Sequence, residues 1–202
     1  MSESDKVLDA FLALVAEKGF AEVTLRDVAA AAETSLADLY RQHRDKVALT
    51  AAFLARVDAT VLADTPRAID PEETARDRLF DVMMRRYDVL KSHRPALQSI
   101  RRAATRDPLL ALALGPAVRR SMSAMLEAAG LPSEGFSGAV RQNGLLAIDY
   151  AVGRVFEADE SKDLSKTMAA LDSRLKMAER WAQGLERYTV SRHGNATETR
   201  AE

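Results

Sequence analysis

The chain has 202 residues, a formal net charge of −1, three histidines and no cysteine. The near-zero charge gives no electrostatic argument for the whole chain binding nucleic acid or a membrane surface, and the lack of cysteine excludes disulfides and thiolate metal sites. His43, His93 and His193 lack metal-ligand spacing, acids stand at Glu3 and Asp5, and no apolar run approaches about 20 residues, so we expect a cytoplasmic protein with no metal, signal peptide or membrane span.

The first 50 residues carry the start and stop signals of short helices. An apolar stripe beginning at Val7 ends at Gly19, a typical helix stop. Thr24 with Asp27, and Ser35 with Asp38, have the spacing of two successive capping boxes. A helix, a turn and a second short helix packed on a longer one indicate either a helix-turn-helix unit or an ordinary three-helix cluster.

The rest of the chain also has helical periodicity, without the alternation typical of strands. We predict an all-α fold of about nine helices, with residues 1–50 as a helix-turn-helix domain, 51–188 as a larger helical domain and 189–202 as a disordered tail. The later helices are expected from Asp45, from Asp70-Pro71-x-Glu73 to about Lys91, from Pro95 to Asp107, from Pro108 to Gly130 with an interruption at Gly115-Pro116, from Phe136 to Ala158, and from Leu164 to Tyr188.

The segment "VLDAFLALVAEKGFAEVTLRDVAAAAETSLADLYRQHRDKVAL" resembles the N-terminal domain of TetR-family regulators. The matching features are the "AEKGF" end of the first helix, "TLRDVAAAA", the Ser35 cap, the Leu39-Tyr40 pair and Lys46. The resemblance covers about residues 7–50 without a gap and implies a dimeric DNA-binding regulator. The rest of the chain has the expected helical layout with little sequence signal.

Carried over to this chain, the resemblance implies a DNA-facing surface. Its recognition helix would extend from Thr34 to Arg41 and enter the major groove, with Tyr40 and Lys46 contacting phosphates. The small core between the two helices would comprise Leu25, Val28, Ala29 and Leu39. The implied DNA-binding residues are Thr24, Arg26, Thr34, Ser35, Leu36, Asp38, Tyr40, Arg41 and Lys46.

Three features of this surface depart from the family pattern. Glu33 stands where glycine is usual, and Leu36, Ala37 and Asp38 replace the frequent lysine, glycine and threonine. Residues 1–50 hold six basic and nine acidic residues, a net charge of −3, which weakens the case for a polyanion partner. The DNA-facing surface is therefore atypical, either adapted to an unusual operator or no longer used.

Methionines and aromatic residues recur at helical spacing in the larger domain. They fit either ordinary core packing or an adaptable apolar cavity, and the resemblance places a ligand pocket among these helices. Such a pocket would take a lipid-like or aromatic small molecule. The candidate ligand-binding residues are Met83, Met84, Tyr87, Ile100, Met122 and Met125.

Residues 76–120 contain eleven basic and four acidic residues, a net charge of +7. Two interpretations stay open: solvated helix faces with salt bridges to the acidic N-terminal domain, or a surface for an anionic partner or an acidic ligand head group.

The last two helices carry patterns typical of helix association. Apolar residues from Leu164 to Leu185 are spaced 4-3-4-3-4-3, which is a heptad seam, and small residues form a strip on the preceding helix. Two such helices from each subunit would form a homodimer, which the resemblance also implies. The candidate interface residues are Gly144, Ala147, Ala151, Leu164, Met168, Leu171 and Leu175.

Two functional hypotheses follow. The first is a one-component repressor that binds a palindromic double-stranded DNA operator as a dimer and is released by an apolar ligand, with no cofactor. The second is a lipid-binding or partner-binding accessory protein of the same fold without DNA binding, because residues 159–179 resemble the C-terminal end of ubiquinone-biosynthesis accessory proteins. No phosphate loop, nucleophile elbow or histidine cluster is present, so we do not expect an enzyme.

Overall fold

A computed structural model describes residues 2–66 and 68–198, with side chains described as far as Trp181. Over these residues the chain forms nine α-helices and no strand, which confirms the predicted all-α class. A short 3₁₀ turn, Lys91–His93, joins the fifth and sixth helices. The helices are α1 (Glu3–Lys18), α2 (Leu25–Ala31), α3 (Leu36–Gln42), α4 (Lys46–Ala63), α5 (Ala75–Leu90), α6 (Arg94–Arg106), α7 (Pro108–Ala128), α8 (Gly135–Ala158) and α9 (Ser165–Glu198).

The caps predicted for the first helices are present, except that Ser35 and Asp38 form only half of the predicted capping box, since no bond from Ser35 N to Asp38 is made. Gly19 follows α1 with φ 92°, in the left-handed region that glycine adopts at little cost. Thr24 and Asp27 form a complete capping box: each backbone N–H donates to the other's side chain, at 2.8 and 3.2 Å. Asp45 Oδ1 accepts from Ala48 N at 2.7 Å and caps α4. Each of these residues fixes a helix start or end from local chemistry alone.

Helix α4 connects the N-terminal helices to the rest of the molecule. Its extensive contact with α7 dominates the packing of the larger domain, and α4 also contacts α1. Phe53 and Leu49 are fully buried on this helix and belong to a core that extends continuously from α1 to α9. The division expected at residues 50 and 51 therefore falls inside a helix that serves both parts.

The predicted start of α5 at Asp70 is wrong. The helix begins at Ala75, because Thr74 is its cap and Thr74 Oγ1 accepts from Asp77 N at 3.1 Å. Asp70 instead accepts from Glu72 N at 2.9 Å in a turn before the helix. Two overlapping start signals stood within five residues, and the later one determines where the helix begins.

The predicted interruption of α7 at Gly115-Pro116 is also wrong. The helix is continuous from Pro108 to Ala128, with Pro116 inside it. Proline in a helix interior removes one backbone hydrogen bond, here the one that Leu112 would accept, and packing of α7 against α4, α5, α6 and α8 compensates.

By length and composition α7 could cross a membrane, contrary to the expectation that no stretch approached that length. One face of α7 lies in the protein core, where Ser121, Met122 and Met125 are fully buried. Core helices of this kind satisfy the same test, so this is weak evidence for a membrane span.

The connection from α8 to α9 is held by one buried carboxylate. Asp159 accepts from Thr167 N at 2.8 Å, from Thr167 Oγ1 at 2.7 Å, and from both the N and Oγ of Ser161. Burial alone would raise the pKa of Asp159, but these hydrogen bonds outweigh it and hold the pKa well below the ordinary aspartate value.

Helix α9 does not stop at Tyr188 but continues to Glu198, so the predicted disordered tail is wrong for residues 189–198. The segment contains no proline to stop the helix. Residues 199–202, the rest of that predicted tail, lie outside the described residues.

Candidate functional site

The turn between α2 and α3 is closed by backbone hydrogen bonds around Glu33. Thr34 N donates to Ala29 O at 3.0 Å and Glu33 N donates to Ala30 O at 3.3 Å, the pair of bonds that defines a Schellman motif. Glu33 has φ 55°, in the left-handed region where glycine is usual. The chain therefore makes the turn without glycine and accepts backbone strain at that residue.

Helix α3 is anchored by one side chain. Leu39 is its only buried residue, and Val28 and Ala29 of α2 are buried beside it, as predicted, with Leu25 half-buried. Ser35 caps α3, because its Oγ accepts from Asp38 N at 3.0 Å. Apart from the half-buried Asp38, the other residues of the helix, including Leu36 and Tyr40, are exposed.

Two charged residues of α3 neutralise each other. Arg41 Nη2 donates to Asp38 Oδ1, and Ser35 Oγ donates to Asp38 Oδ2 at 2.5 Å. Hydrogen bonds from Ser35 and then Arg41 lower the pKa of Asp38, so this carboxyl is ionised at neutral pH. The basic group of α3 thus faces an acid of the same helix.

Lys46 does not stand free for a phosphate contact, although the resemblance assigned it one. Its Nζ donates to Phe20 O at 2.6 Å and to Ala21 O at 3.2 Å, and lies 4.7 Å from the centre of the Phe20 ring. The ammonium therefore stabilises the loop after α1. Partial burial lowers the pKa of Lys46.

The other predicted DNA-facing residues lie around α2 and the turn. Arg26 is exposed on the first turn of α2, next to the cap Thr24, and Arg44 is exposed after α3. Thr34 is half-buried, and its Oγ1 donates to Glu3 Oε1 at 3.5 Å. The grouping of these residues as a DNA face stays a prediction, and the sequence did not reveal that Lys46 and Arg41 are occupied within the chain.

A partly open cavity of about 760 Å³ lies among α4 to α8. Its walls are mostly apolar, and such a volume is typical of a small-molecule site. Of the six candidate ligand residues, only Tyr87 and Ile100 line it. Met83, Met122 and Met125 are fully buried core residues, and the half-buried Met84 also lies outside the cavity wall, so the methionine part of the prediction is wrong. Helical spacing alone does not distinguish core methionines from cavity methionines.

A polar cluster that was not predicted from the sequence lies at one wall of the cavity. Tyr87 Oη donates to Asp149 Oδ1 at 3.0 Å, and Arg86 Nη1 lies 3.7 Å from the same oxygen. Arg86 Nη2 donates to Ser121 Oγ at 3.2 Å, and that hydroxyl donates to Asp58 at 2.5 Å. Burial raises the pKa of Asp58 and raises that of Tyr87 well above the ordinary value.

The salt bridges of the basic stretch 76–120 lie within the larger domain and involve Arg76, Arg86 and Arg101. Arg76 faces Asp172 of α9 at 3.5 Å, and Arg101 pairs with Glu157 of α8. Among the described residues, the salt bridges to acids of α1 come instead from Arg56 of α4. The predicted salt bridges of this stretch to the N-terminal domain are therefore wrong.

Helices α8 and α9 expose a different surface from the one predicted. Leu164, Leu171 and Leu175 are buried inside the subunit, which removes them from an interface, while Met168 is 42% exposed. Gly144 and Ala147 are exposed and Ala151 is half-buried. The α8/α9 face comprises these three residues together with the exposed Phe136, Val140 and Trp181. Ala182 and Leu185 of the predicted seam lie outside the residues whose side chains are described.

Helix α6 lies between the cavity and the N-terminal helices. Leu97, Ile100 and Ala104 line the cavity. From the same helix, Ser99 Oγ accepts from Phe20 N at 2.8 Å, at the loop where Lys46 also binds. One rigid element thus contacts both candidate sites.

Within the described ranges no cluster of three histidine or acidic side chains is arranged to hold a metal ion. Two hydrogen-bonded pairs, Tyr87–Asp149 and Ser121–Asp58, contribute to the polar side of the cavity.

Comparison with solved structures agrees with this architecture. A TetR transcriptional regulator from Nitrosomonas europaea is 23% identical, with 87% of this chain and 97% of that chain covered at a TM-score of 0.69. A TetR regulator from Rhodococcus sp. RHA1 is 21% identical, covering 86% and 95% at 0.60. The fatty acid degradation regulator FadR from Bacillus halodurans is 16% identical, covering 87% and 95% at 0.59.

No curated protein matches the chain. The family described as bacterial regulatory proteins, tetR family, matches residues 7–53. That segment contains the whole of α2 and α3 with their caps and the Schellman turn. Residues 7–53 therefore match the tetR family of bacterial regulatory proteins, and the chain as a whole shares the fold of the solved TetR regulators.

Proposed function

We propose that the protein is a cytoplasmic transcriptional repressor that binds a palindromic DNA operator as a homodimer and is released by an apolar small molecule. The observation that carries the proposal is the exposed first turn of α3, held at a fixed angle to α2 by buried Leu39 and the Schellman turn. In helix-turn-helix proteins the second helix lies in the major groove and its N-terminal residues contact base edges.

On the DNA side, Ser35 and Leu36 would lie closest to the bases. Arg26 and Arg44 are exposed and would contact phosphates, which position the helix without reading sequence. Arg41 would add to them only if DNA competes with Asp38 for its guanidinium. Few free cations predict modest affinity and a shallow salt dependence.

The proposed dimer uses the α8/α9 face. Phe136 is 88% exposed and Trp181 71% exposed, and large aromatic side chains are enriched at protein interfaces. Gly144, which has no side chain, and the small Ala147 would let a partner helix approach closely. A second subunit related by two-fold symmetry would place two α3 helices about 34–36 Å apart, in successive major grooves.

Helix α6 provides the connection to ligand binding. A ligand in contact with Leu97 and Ile100 bears on the same helix whose Ser99 accepts a hydrogen bond from Phe20 in the N-terminal domain. A ligand that binds more tightly when α6 is in one position than in another would shift the equilibrium between the two positions by that difference in binding free energy. The spacing of the two α3 helices would change with it.

The test is fluorescence anisotropy of the purified protein on duplex DNA from the region upstream of its own gene, titrated at several salt concentrations. We expect selectivity over a scrambled duplex and a linear fall of log affinity with log salt. An Arg26→Ala variant should lose affinity on both duplexes equally, whereas Leu36→Ala should reduce the selectivity. If operator fragments selected from the whole genome also show no selectivity, the proposal is wrong.

A second candidate is supported by the occupied cations of the DNA face. Because Asp38 pairs with Arg41 and Lys46 binds loop carbonyls, the same fold would serve as a lipid-binding or partner-binding accessory protein without DNA. Copurification of a lipid in the cavity, together with no selective DNA binding at low salt, would favour this function.

A further inference from the structure

The charged side chains that line the cavity balance one another. Arg86 and Arg101 are basic, Asp149 and Glu157 are acidic, and together they give a formal charge of zero. Each base faces an acid: Arg86 lies 3.7 Å from Asp149, and Arg101 pairs with Glu157. A charged ligand would therefore be an uncompensated charge in an apolar site, which is costly.

Arg86 in this wall has donors that its protein neighbours do not satisfy. The residue is only 3% exposed, its Nη1 lies 3.7 Å from Asp149 Oδ1, beyond hydrogen-bond distance, and its Nε has no hydrogen bond to any protein atom. A buried donor left unpaired costs free energy, and an acceptor on a ligand would remove that cost. Arginine has no acceptor and stays charged, so its partner must supply an oxygen or nitrogen lone pair.

Three other polar side chains of the lining make their bonds within the protein. Thr50 Oγ1 donates to Lys46 O at 2.9 Å, and Thr105 Oγ1 donates to Arg101 O at 2.8 Å. Tyr87 donates to Asp149. Among the lining residues, Arg86 thus combines a nearly complete burial with a free donor.

We infer that the cavity takes a neutral, largely apolar molecule with one hydrogen-bond-accepting oxygen, such as a ketone or ester, directed at Arg86. This inference rests on the proposed function and narrows its ligand to one chemical class. A ligand with an acidic head group does not fit this cavity, because the basic residues of the wall already face acidic residues. The charges do not determine whether the apolar part of the ligand is alkyl or aromatic; this depends on the shape of the cavity walls.

The experiment uses two matched series and no DNA. Decan-2-one, decane, decanoate and decylammonium form the alkyl series, and 2-acetylnaphthalene, 2-ethylnaphthalene and 2-naphthoate form the aromatic series. Binding is measured on the full chain by displacement of Nile red fluorescence. In at least one series we expect the ketone to bind about tenfold more tightly than the hydrocarbon, the difference that one hydrogen bond to a buried charged donor makes, and about tenfold more tightly than the charged members.

Single-charge variants of the wall sharpen the test. Asp149→Asn removes the acid that faces Arg86 in the cavity wall and keeps an oxygen acceptor for Tyr87, so preference should move toward the carboxylate. Arg86→Met leaves Asp149 uncompensated, so preference should move to the ammonium, and the ketone should lose its advantage over the hydrocarbon. The double variant Arg86→Met/Asp149→Asn removes both charges and should bind ketone and hydrocarbon within about threefold of each other.

Asp172→Asn is the matched control, because it changes the charge by the same amount on the surface of α9, outside the cavity. It should leave all preferences unchanged. Tighter binding of carboxylate than ketone by the native chain, equal binding of ketone and hydrocarbon, or no binding in either series would each overturn the inference. Ketone preference without selective DNA binding would instead contradict the proposed repressor function and leave the ligand class standing.

Discussion

The N-terminal helices and the helical body use their polar side chains in opposite ways. In the first 50 residues these groups cap helices at the surface, as Thr24 with Asp27 and Ser35 with Asp38 do. In the body they meet across helices in the interior, where Arg86 and Tyr87 of α5 reach Asp149 of α8. Caps connect residues three positions apart, whereas the interior cluster connects residues more than sixty positions apart. The first kind of contact is visible in a sequence and the second is not.

The largest expected effect concerns the anchoring of α3. Leu39→Ala should lower the free energy of unfolding by about 2–5 kcal/mol, because it removes the only buried side chain of that helix. Urea denaturation measures the change. Tyr40→Ala, at the neighbouring exposed position, is the control and should shift stability by no more than about 0.5 kcal/mol. Equal effects of the two variants would show that α3 is not held by its core residue.

The buried polar contacts of the body should matter next. Asp159→Ala should cost about 1.5–3 kcal/mol, because it leaves the donors of Ser161 and Thr167 without their charged acceptor. The pKa of Asp159 is lowered in the folded chain, so its contribution is complete above the ordinary value of about 3.9 and is lost as the pH falls below it.

Urea denaturation from pH 6 to pH 2 measures this contribution. The native chain should lose stability more steeply below pH 4 than Asp159→Asn, which has no carboxyl to protonate. Parallel pH profiles for the two proteins would mean that the carboxylate is not held as the structure shows.

A smaller effect is expected at the DNA face. Asp38→Asn should raise affinity for duplex DNA by up to about tenfold at low salt and steepen the slope of log affinity against log salt by about one, because Arg41 becomes free to neutralise a phosphate. The Ser35 cap is retained, since it accepts from the backbone N–H of residue 38. Asp88→Asn, an exposed acid on α5, controls for net charge. An unchanged salt slope would show that Arg41 does not reach DNA.

The smallest effect concerns the turn. Glu33→Gly should stabilise the chain by about 0.5–1 kcal/mol, because the left-handed conformation at φ 55° costs glycine less than any other residue, although glycine also gains freedom in the unfolded state. Ala32→Gly, where φ is −86°, should destabilise it instead. Thermal unfolding of both variants measures the difference in stability. A loss of stability in Glu33→Gly would show that the backbone at Glu33 is not strained.

These contrasts explain how far the sequence could predict the structure. Helix number, the capping box at Thr24, the cap at Asp45 and the buried face of α2 and α3 follow from residues close together in the chain, and all were predicted correctly. The start of α5 failed because Asp70 and Thr74 offered competing caps. The methionines were predicted to contact a ligand, and Leu164, Leu171 and Leu175 to form a dimer interface. Both predictions were wrong, because helical periodicity identifies a buried face but not what covers it. The Arg86 cluster could not be predicted, because it forms only when α4, α5, α7 and α8 pack together.

Helix α7 should open locally more easily at Pro116 than elsewhere. Pro116 has no backbone N–H, so the carbonyl of Leu112 has no helical donor. The segment 108–115 is therefore joined to the rest of the helix by one hydrogen bond fewer. That segment forms part of the cavity wall at Ala111 and Leu114, and its outer side chains Leu109 and Leu112 are largely exposed. We expect its amide protons to exchange with solvent faster than those of residues 117–126, through local opening. The end of α7 would then act as the portal of the cavity, through which a guest enters while the core beyond Pro116 stays closed.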